Sequence, residues 1–349
     1  MPSYASLSGE IVTFVVCSQR LPYFVSSYHG TQITHDARVS GKQSEQLRIR
    51  GGHCIGKSEG RPTWMRDNCQ ALSGFMLNQV MLPGTHKSGN YDTFKPEIIV
   101  PIENVLDYQE EDIFSQLVYG IRFLDIRVRA YNSDFWVNRE DIRGQITVKE
   151  LLRTVKSFVR ATGEIVAVDF HRFIRGFEFT CPDRERNHKA LVKLIVEELK
   201  DVIAHKDAAR KTLGELMGNC SEVKGKVIVS YKEKSVQANS QYFLPASHRL
   251  WSGARSVQKL KKYLEDRVCL HLPGTQTVSM AEMHALFPFY TVTNREFAQE
   301  VNGEVTKWFR DEWWKCANVV ATDFFLRNDI INVAIKSNVR RVAEMRNSD

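Results

Sequence analysis

From residue 64 onward, short apolar segments alternate with segments of helical periodicity. The apolar segments are bounded by Gly, Pro or polar residues, as buried strands are, and the intervening segments repeat apolar residues three and four apart, as amphipathic helices do. This alternation predicts an α/β fold, a TIM-type (β/α)8 barrel that is closed or imperfectly closed. The predicted strands cover residues 75–82, 121–128, 135–137, 165–170, 226–231, 249–251, 268–272 and 319–325. The predicted helices cover residues 110–119, 148–160, 187–203, 256–266, 295–314 and 330–340.

Residues 1–62 do not share this alternation. Short β-rich runs at 10–16, 22–28 and 46–49 are separated by polar stretches with Gly and Ser, which predicts a small β-rich N-terminal segment. The chain has 349 residues, 43% of them hydrophobic, and is long enough to bury one large core. We therefore expect a β-rich segment at 1–62 and the barrel at 63–345.

The net charge of +7 and the pI near 9.0 indicate an anionic partner, either a lipid headgroup or a peripheral membrane surface. A nucleic-acid partner is not expected, because the sequence has no run of five basic residues. The apolar stretch at 11–17 lacks a preceding basic region and a clean cleavage site, so it is not a convincing signal peptide. We expect a monomer that is cytoplasmic, or secreted if the N-terminus is incomplete.

The seven cysteines show no CxxC pair and no zinc-binding spacing. Their odd number argues against a fully paired framework. Buried free thiols are the favoured interpretation, with partial disulfide pairing in a secreted protein as the alternative. The cysteines are Cys17, Cys54, Cys69, Cys181, Cys220, Cys269 and Cys316.

Polar side chains cluster at the ends of several predicted strands. His86 follows the first strand, and Asp125 and Arg127, two residues apart, share one face of the second. Active sites of parallel barrels lie at the carboxyl ends of the strands, so these residues are candidates for a site. The residues at or just beyond such ends are His86, Arg127, Arg139, His171, Lys232 and Asp323.

The motif LPGTHKSG at 82–89, followed by GIRFLDIR at 120–127, resembles the X domain of phosphatidylinositol-specific phospholipases C. The resemblance covers about residues 64–341 and is closest to the animal X-domain-only proteins and to the small metal-free bacterial enzymes. It implies a barrel that cleaves a phosphoinositide-type phosphodiester.

By this resemblance, His86 is the general base that deprotonates the inositol 2-hydroxyl, and Asp323 fixes its tautomer. The alternatives are a structural histidine at a turn and an aspartate that caps a helix. Arg127 stabilises the phosphoryl oxygens, a task that suits a guanidinium fork. Asp125 either holds Arg127 or ligates a metal ion.

The calcium-dependent relatives carry Asn after the first histidine and further acidic ligands, whereas Lys87 follows His86 here. A lysine beside a divalent cation is unfavourable, so we expect a metal-independent site without a cofactor. Lys87 also stands where the relatives usually have Asp, and it becomes a candidate phosphate-binding residue.

The relatives end their third strand in a histidine that protonates the leaving group. The corresponding segment here, 134–141, contains no histidine. Arg139 aligns with the histidine, or Asn138 if the alignment shifts by one residue, and neither is an efficient general acid at neutral pH. Loss of general acid catalysis costs about 10²–10⁴-fold in rate.

Four further residues are candidate headgroup contacts by the same resemblance. His171 or Arg172 follows the fourth predicted strand, and Tyr231 or Lys232 ends the fifth. An ordinary residue at the barrel rim is an equally good interpretation of each.

Three functions follow from these residues. The first is hydrolysis of a phosphoinositide or glycerophosphodiester with His86 as base and Arg127 as phosphate-stabilising cation. The second is a pseudoenzyme that binds an anionic headgroup or a partner without turnover. The third is a metal-dependent phosphodiesterase, which would need more acidic ligands near His86 than Asp125 alone.

Overall fold

The structure is a computed structural model and describes residues 60–91, 107–139, 142–221, 224–272, 274–283 and 293–347. The predicted β-rich segment at 1–62 lies almost wholly outside these residues, and its boundary with the barrel stays a prediction.

The described residues form ten strands: β1 Leu82–Thr85, β2 Phe123–Tyr131, β3 Asp134–Arg139, β4 Ile142–Thr147, β5 Ile165–Phe173, β6 Lys226–Tyr231, β7 Phe243–Leu244, β8 His248–Leu250, β9 Thr277–Met280 and β10 Val319–Thr322. They also form ten α-helices: α1 Trp64–Asp67, α2 Cys69–Leu72, α3 Ile113–Tyr119, α4 Val148–Thr162, α5 Arg184–Leu199, α6 Leu213–Leu216, α7 Lys234–Asn239, α8 Val257–Glu265, α9 Asn294–Lys307 and α10 Ile330–Arg346. Helix α9 continues into a π-helical turn, Trp308–Glu312.

Eight of the strands form one curled parallel sheet in the order β7-β6-β5-β2-β1-β10-β9-β8. Strand β1 lies at its centre, with Leu82 opposite Val319 of β10 and Gly84 opposite Phe123 of β2. The path ends at the short strands β7 and β8, so the barrel is open there. The predicted α/β barrel, imperfectly closed, is confirmed.

Three predicted strands differ from the structure. The segment 75–82 reaches the sheet only at Leu82, where β1 begins, and Leu77–Gln79 forms a 3-10 helical turn. The segment 135–137 does form a strand, β3, but it pairs antiparallel with β2 and β4 as a hairpin beside the parallel sheet. The segment 268–272 is not a strand, and β9 takes its place in the barrel. The apolar pattern of 268–272 gave a wrong prediction because Leu270 and Leu272 are 61% and 48% exposed, whereas β9 is buried throughout.

Helix ends follow local sequence signals. Thr147 caps α4 by accepting a hydrogen bond from the Glu150 amide, while the Glu150 carboxylate accepts one from the Thr147 amide. The same capping box begins α6 and α9. Helix α4 ends at Gly163, which adopts a left-handed conformation with φ of 74°. These boxes satisfy amide groups that have no partner within the helix.

A buried ion pair joins the amino-terminal ends of β2 and β5. Arg122 Nε donates to Glu164 at 2.8 Å, and both side chains are fully buried. Glu164 also accepts hydrogen bonds from the amides of Met65 and Arg66, and Arg122 donates to the carbonyl oxygen of Leu117. This cluster holds the segment before β1 against the end of the barrel opposite the candidate site.

Two disulfides join Cys69 to Cys220 and Cys269 to Cys316. The favoured interpretation of buried free thiols is therefore wrong for these four cysteines, and the alternative of partial pairing holds. Cys181 is a free thiol. Among the described helices, none has the length and apolar character needed to cross a membrane.

Candidate active site

The first candidate, His86, lies directly after β1 in a tight turn. Its amide donates to the carbonyl oxygen of Thr322, which extends the β1–β10 pairing by one residue, and Lys87 then turns the chain with a left-handed φ of 45°. Gly89 contributes because a Cβ atom there would lie 2.3 Å from Cγ1 of Val137. The glycine is thus needed for the turn to pack against β3.

The His86 ring is held by Asp323, the first residue after β10. His86 Nδ1 and Asp323 Oδ1 lie 2.8 Å apart although the residues are 237 positions apart in the chain, and both are buried. Asn302 of α9 donates to the carbonyl oxygens of Asp323 and Phe324 and so fixes the turn that carries the carboxylate. The structure thus places Asp323 where a tautomer-fixing partner must lie.

Arg127 lies on the other side of the same ring. Its Nη2 is 3.3 Å from His86 Nε2, and its side chain is largely buried on β2. An arginine can only donate, so Nε2 is the acceptor and Nδ1 carries the proton that points at Asp323. This tautomer leaves the lone pair of His86 Nε2 beside the guanidinium.

Asp125, two residues before Arg127, is the centre of a second network. Its Oδ2 accepts a hydrogen bond from the Lys87 amide at 3.0 Å, and its Oδ1 lies 2.6 Å from His171 Nδ1 and 3.1 Å from Arg249 Nη2. Burial alone would raise the pKa of Asp125, but the charges of Arg249, His171 and Arg127 hold it well below its usual range. Asp125 is therefore an ionised carboxylate that accepts hydrogen bonds from the Lys87 amide and Arg249 and lies at ion-pair distance from His171.

Three buried groups could hold a divalent cation. Ligand atoms of His86, Glu282 and Asp323 all lie within 4.8 Å of one another. Burial and the charge of Glu282 raise the pKa of Asp323 well above its usual range, while Lys87 and Arg127 act in the opposite direction. The two cationic side chains add positive charge at the place where a metal ion would bind.

Lys87 does not extend into solvent. Its Nζ lies 3.5 Å from the centroid of the Tyr108 ring, a cation–π contact, and the side chain is 1% exposed. Tyr108 also places its ring edge against His86, with centroids 5.3 Å apart. The lysine and the tyrosine together form one wall of the site.

The third-strand position that carries a histidine in the relatives lies on β3. Asn138 is buried, and its backbone pairs with Arg143 of β4, while Arg139 is the last residue of β3 and pairs with Ile142. Within this hairpin, β3 pairs with β2, the strand that carries Asp125 and Arg127.

The remaining candidates are not brought together with His86. Tyr231 is fully buried, and its hydroxyl lies 2.8 Å from His188 Nδ1 within an aromatic cluster that includes Phe173 and Phe243. A headgroup contact by Tyr231 does not fit this burial, and the core packing of its ring explains its position. Arg172 and Lys232 are exposed on the rim.

Sequence reasoning missed Tyr108, Arg249 and Glu282. Arg249 of β8 bridges two carboxylates, with Nη2 at 3.1 Å from Asp125 and 2.7 Å from Asp169. Glu282 follows β9, the strand that was misplaced, so its position at a strand end was not visible. The alternation within β8 could have identified Arg249, since its neighbours His248 and Leu250 point to the other face.

Comparisons with known proteins support the barrel fold. No protein-family model matches the chain. A stretch of 111 residues, 28% of the chain, is 25% identical to a PI-PLC X domain-containing protein of Dictyostelium discoideum, and the match spans 19% of that relative's length.

Two solved bacterial enzymes share the fold. The phosphatidylinositol-specific phospholipase C of Staphylococcus aureus matches with a TM-score of 0.60 at 18% identity, over 80% of this chain and 98% of its own. The enzyme of Listeria monocytogenes matches with a TM-score of 0.58 at 16% identity, over 81% of this chain and 98% of its own. A closer kinship to animal X-domain-only proteins stays a prediction. The chain therefore shares the barrel fold of these bacterial phosphatidylinositol-specific phospholipases C.

Proposed function

We propose that this protein binds a phosphoinositide-type phosphodiester at the carboxyl ends of its barrel strands and hydrolyses it without a metal ion. The observation that carries the proposal is the placement of His86 between Asp323, 2.8 Å from Nδ1, and Arg127, 3.3 Å from Nε2. A histidine held in this way can accept a proton at Nε2 while the guanidinium neutralises the phosphoryl oxygens.

The proposed reaction begins with the hydroxyl next to the phosphate on the headgroup. His86 takes its proton, the oxygen attacks phosphorus, and the bond from phosphorus to the glycerol oxygen breaks. Arg127 stabilises the charge on the phosphoryl oxygens throughout. A glycerophosphodiester with a neighbouring hydroxyl could react in the same way. The net positive charge of +7 favours approach to an anionic membrane surface.

A histidine variant tests the role of the base. His86→Ala should lower cleavage of phosphatidylinositol in vesicles by about 10²–10⁴-fold, because a general base contributes that much. His205→Ala is the matched control, since the His205 side chain is half exposed. Asp323→Asn should approach the loss seen in His86→Ala. Equal activity of His86→Ala and the wild type would contradict the proposed base.

The second candidate function is a pseudoenzyme that binds the headgroup without turnover. The pseudoenzyme is favoured because Asn138 and Arg139 lie at the third-strand position where the relatives carry the histidine that acts as general acid. If the chain has no proton donor, Arg139→His should raise cleavage of phosphatidylinositol by about 10²–10⁴-fold. The rate of cleavage of a nitrophenyl inositol phosphate, whose leaving group needs no proton, should then change little.

A further inference from the structure

The absent third-strand histidine raises the question of what else could protonate the leaving group. Strand β5 carries a histidine at its carboxyl end, His171, whose Nδ1 lies 2.6 Å from Asp125 Oδ1. The site therefore contains a second histidine–aspartate pair on neighbouring strands, in addition to His86 and Asp323.

The backbone of β5 is irregular at this residue. Ile126 of β2 pairs with Phe170, whereas the next residue, Arg127, pairs with Arg172, so His171 is one extra residue in β5. Bulges of this kind turn a side chain away from the regular alternation and are frequent next to active sites. Here the bulge lies beside Arg127, the residue that contacts His86.

The two histidines therefore lie on either side of Arg127. His86 contacts the guanidinium directly at 3.3 Å, and His171 lies on the strand that pairs with β2 at Arg127. Strands β1 and β5 are the two parallel neighbours of β2, so the strands that carry the histidines are about 10 Å apart, which leaves room for a phosphodiester between the two rings. Asp125 links the two sides, because it also accepts the hydrogen bond of the Lys87 amide.

From this arrangement we infer that His171, which pairs with the Asp125 carboxylate, is the general acid that protonates the leaving group in place of the absent third-strand histidine. The inference rests on the proposed function. As the bond from phosphorus to the glycerol oxygen breaks, the Nε2 proton of His171 passes to that oxygen, and His86 holds the proton taken from the attacking hydroxyl. A water molecule can then open the cyclic phosphodiester, with His171 as base and His86 as acid, which restores both residues.

The charges around His171 fit a general acid that becomes protonated when the substrate binds. Burial lowers the pKa of His171 and Arg249 adds to the effect, whereas Asp125 and Asp169 act in the opposite direction. A bound phosphodiester brings one more negative charge beside the ring and so favours the imidazolium. Asp125 remains ionised, so it can stabilise that cation.

Two substrates separate an acid from a binding residue. For His171→Ala, we expect cleavage of phosphatidylinositol to fall by about 10²–10⁴-fold, while cleavage of nitrophenyl inositol phosphate changes by less than about tenfold. His171→Gln, which keeps the size of the side chain, should behave in the same way. Thermal unfolding of both variants shows whether the fold is retained, and His205→Ala serves as the control.

Each other outcome has a definite meaning. If the wild type cleaves neither substrate, the proposed function fails. If His86→Ala is inactive and His171→Ala cleaves the lipid like the wild type, the function stands and the inference is wrong. An equal loss on both substrates, with weaker binding of inositol phosphate, would make His171 a binding residue. A rise of about 10²–10⁴-fold on the lipid in Arg139→His would show that the wild type has no acid.

Discussion

The guanidinium of Arg127 lies 3.3 Å from His86 Nε2, on the side of the imidazole opposite to Asp323. A cation at this position opposes protonation of the ring until an anion arrives to balance it. In the proposed mechanism, the base His86 and the phosphate-binding Arg127 therefore act as one unit, and each needs the other in place.

This unit predicts that Arg127→Lys is not a conservative change. Lysine keeps the charge but lacks the planar fork that can contact the phosphate and Nε2 together. We expect cleavage of phosphatidylinositol to fall by about 10²–10³-fold, as for loss of a single donor to transition-state charge. The exposed Arg153, on α4, gives the control variant Arg153→Lys. Equal rates for Arg127→Lys and the wild type would show that the fork is not used.

Metal independence is the second prediction. Burial and Glu282 raise the pKa of Asp323, and Lys87 and Arg127 already supply positive charge beside it, so the cluster of His86, Glu282 and Asp323 is a poor cation site. Cleavage of phosphatidylinositol should therefore be the same in EDTA or EGTA as in buffer alone. Activity that is lost on chelation and regained with Ca²⁺ would favour the metal-dependent alternative and would remove the role given to Arg127.

The third prediction concerns stability and pH. Burial raises the pKa of Glu110 from 4.5 to about 7, against the opposing charges of Arg295 and Arg327. The folded state thus holds the proton more tightly than the unfolded chain does. The contribution of Glu110 to the free energy of unfolding is therefore complete below about pH 4.5 and is lost as the pH rises to about 7. The loss amounts to about 3 kcal/mol.

Glu110→Gln should remove this dependence. We expect the free energy of unfolding in urea to fall less between pH 5 and pH 8 in the variant than in the wild type. The exposed Glu185 provides the control Glu185→Gln. Burial of His188 lowers its pKa to about 4 and acts in the opposite direction, so variant and wild type must be compared directly. Identical pH profiles for Glu110→Gln and the wild type would contradict the assignment.

The disulfides give the fourth prediction. Cys69 and Cys220 are 151 residues apart, and Cys269 and Cys316 are 47 apart, so each bond restricts a long loop of the unfolded chain. Replacing either pair with serine should lower the free energy of unfolding by about 2–5 kcal/mol, more for the longer loop. Peptide mapping without reduction identifies the pairs. Reduced cysteines in the native protein would contradict the pairing.

The sequence predicted the fold well where strands are continuous apolar runs. Strands β2, β5 and β6 and helix α4 lie within a few residues of their predicted positions, because β-branched residues or a capping box mark them. The seventh strand was misplaced because the exposed leucines at 270 and 272 give this segment the apolar sequence pattern of a buried strand. Local pattern alone does not reveal which apolar residues the fold leaves at the surface.

The site was less predictable than the fold. His86, Arg127 and Asp323 follow from motifs at strand ends, and the structure brings these three together. Alternation within β8 indicates the face on which Arg249 lies but not its contact with Asp125, which joins residues 124 positions apart that no motif connects. The bulge that places His171 beside Arg127 depends on the register of two strands, which the sequence does not specify.

The central claim is that this site converts a phosphodiester, and ³¹P NMR of phosphatidylinositol vesicles tests it most directly. With the wild type in EDTA, we expect the phosphodiester signal of the lipid to be replaced by those of water-soluble inositol phosphates, and His86→Ala should leave the lipid signal unchanged over the same time. A wild type that binds the vesicles while the lipid signal persists would contradict the claim and would make the protein a binding module.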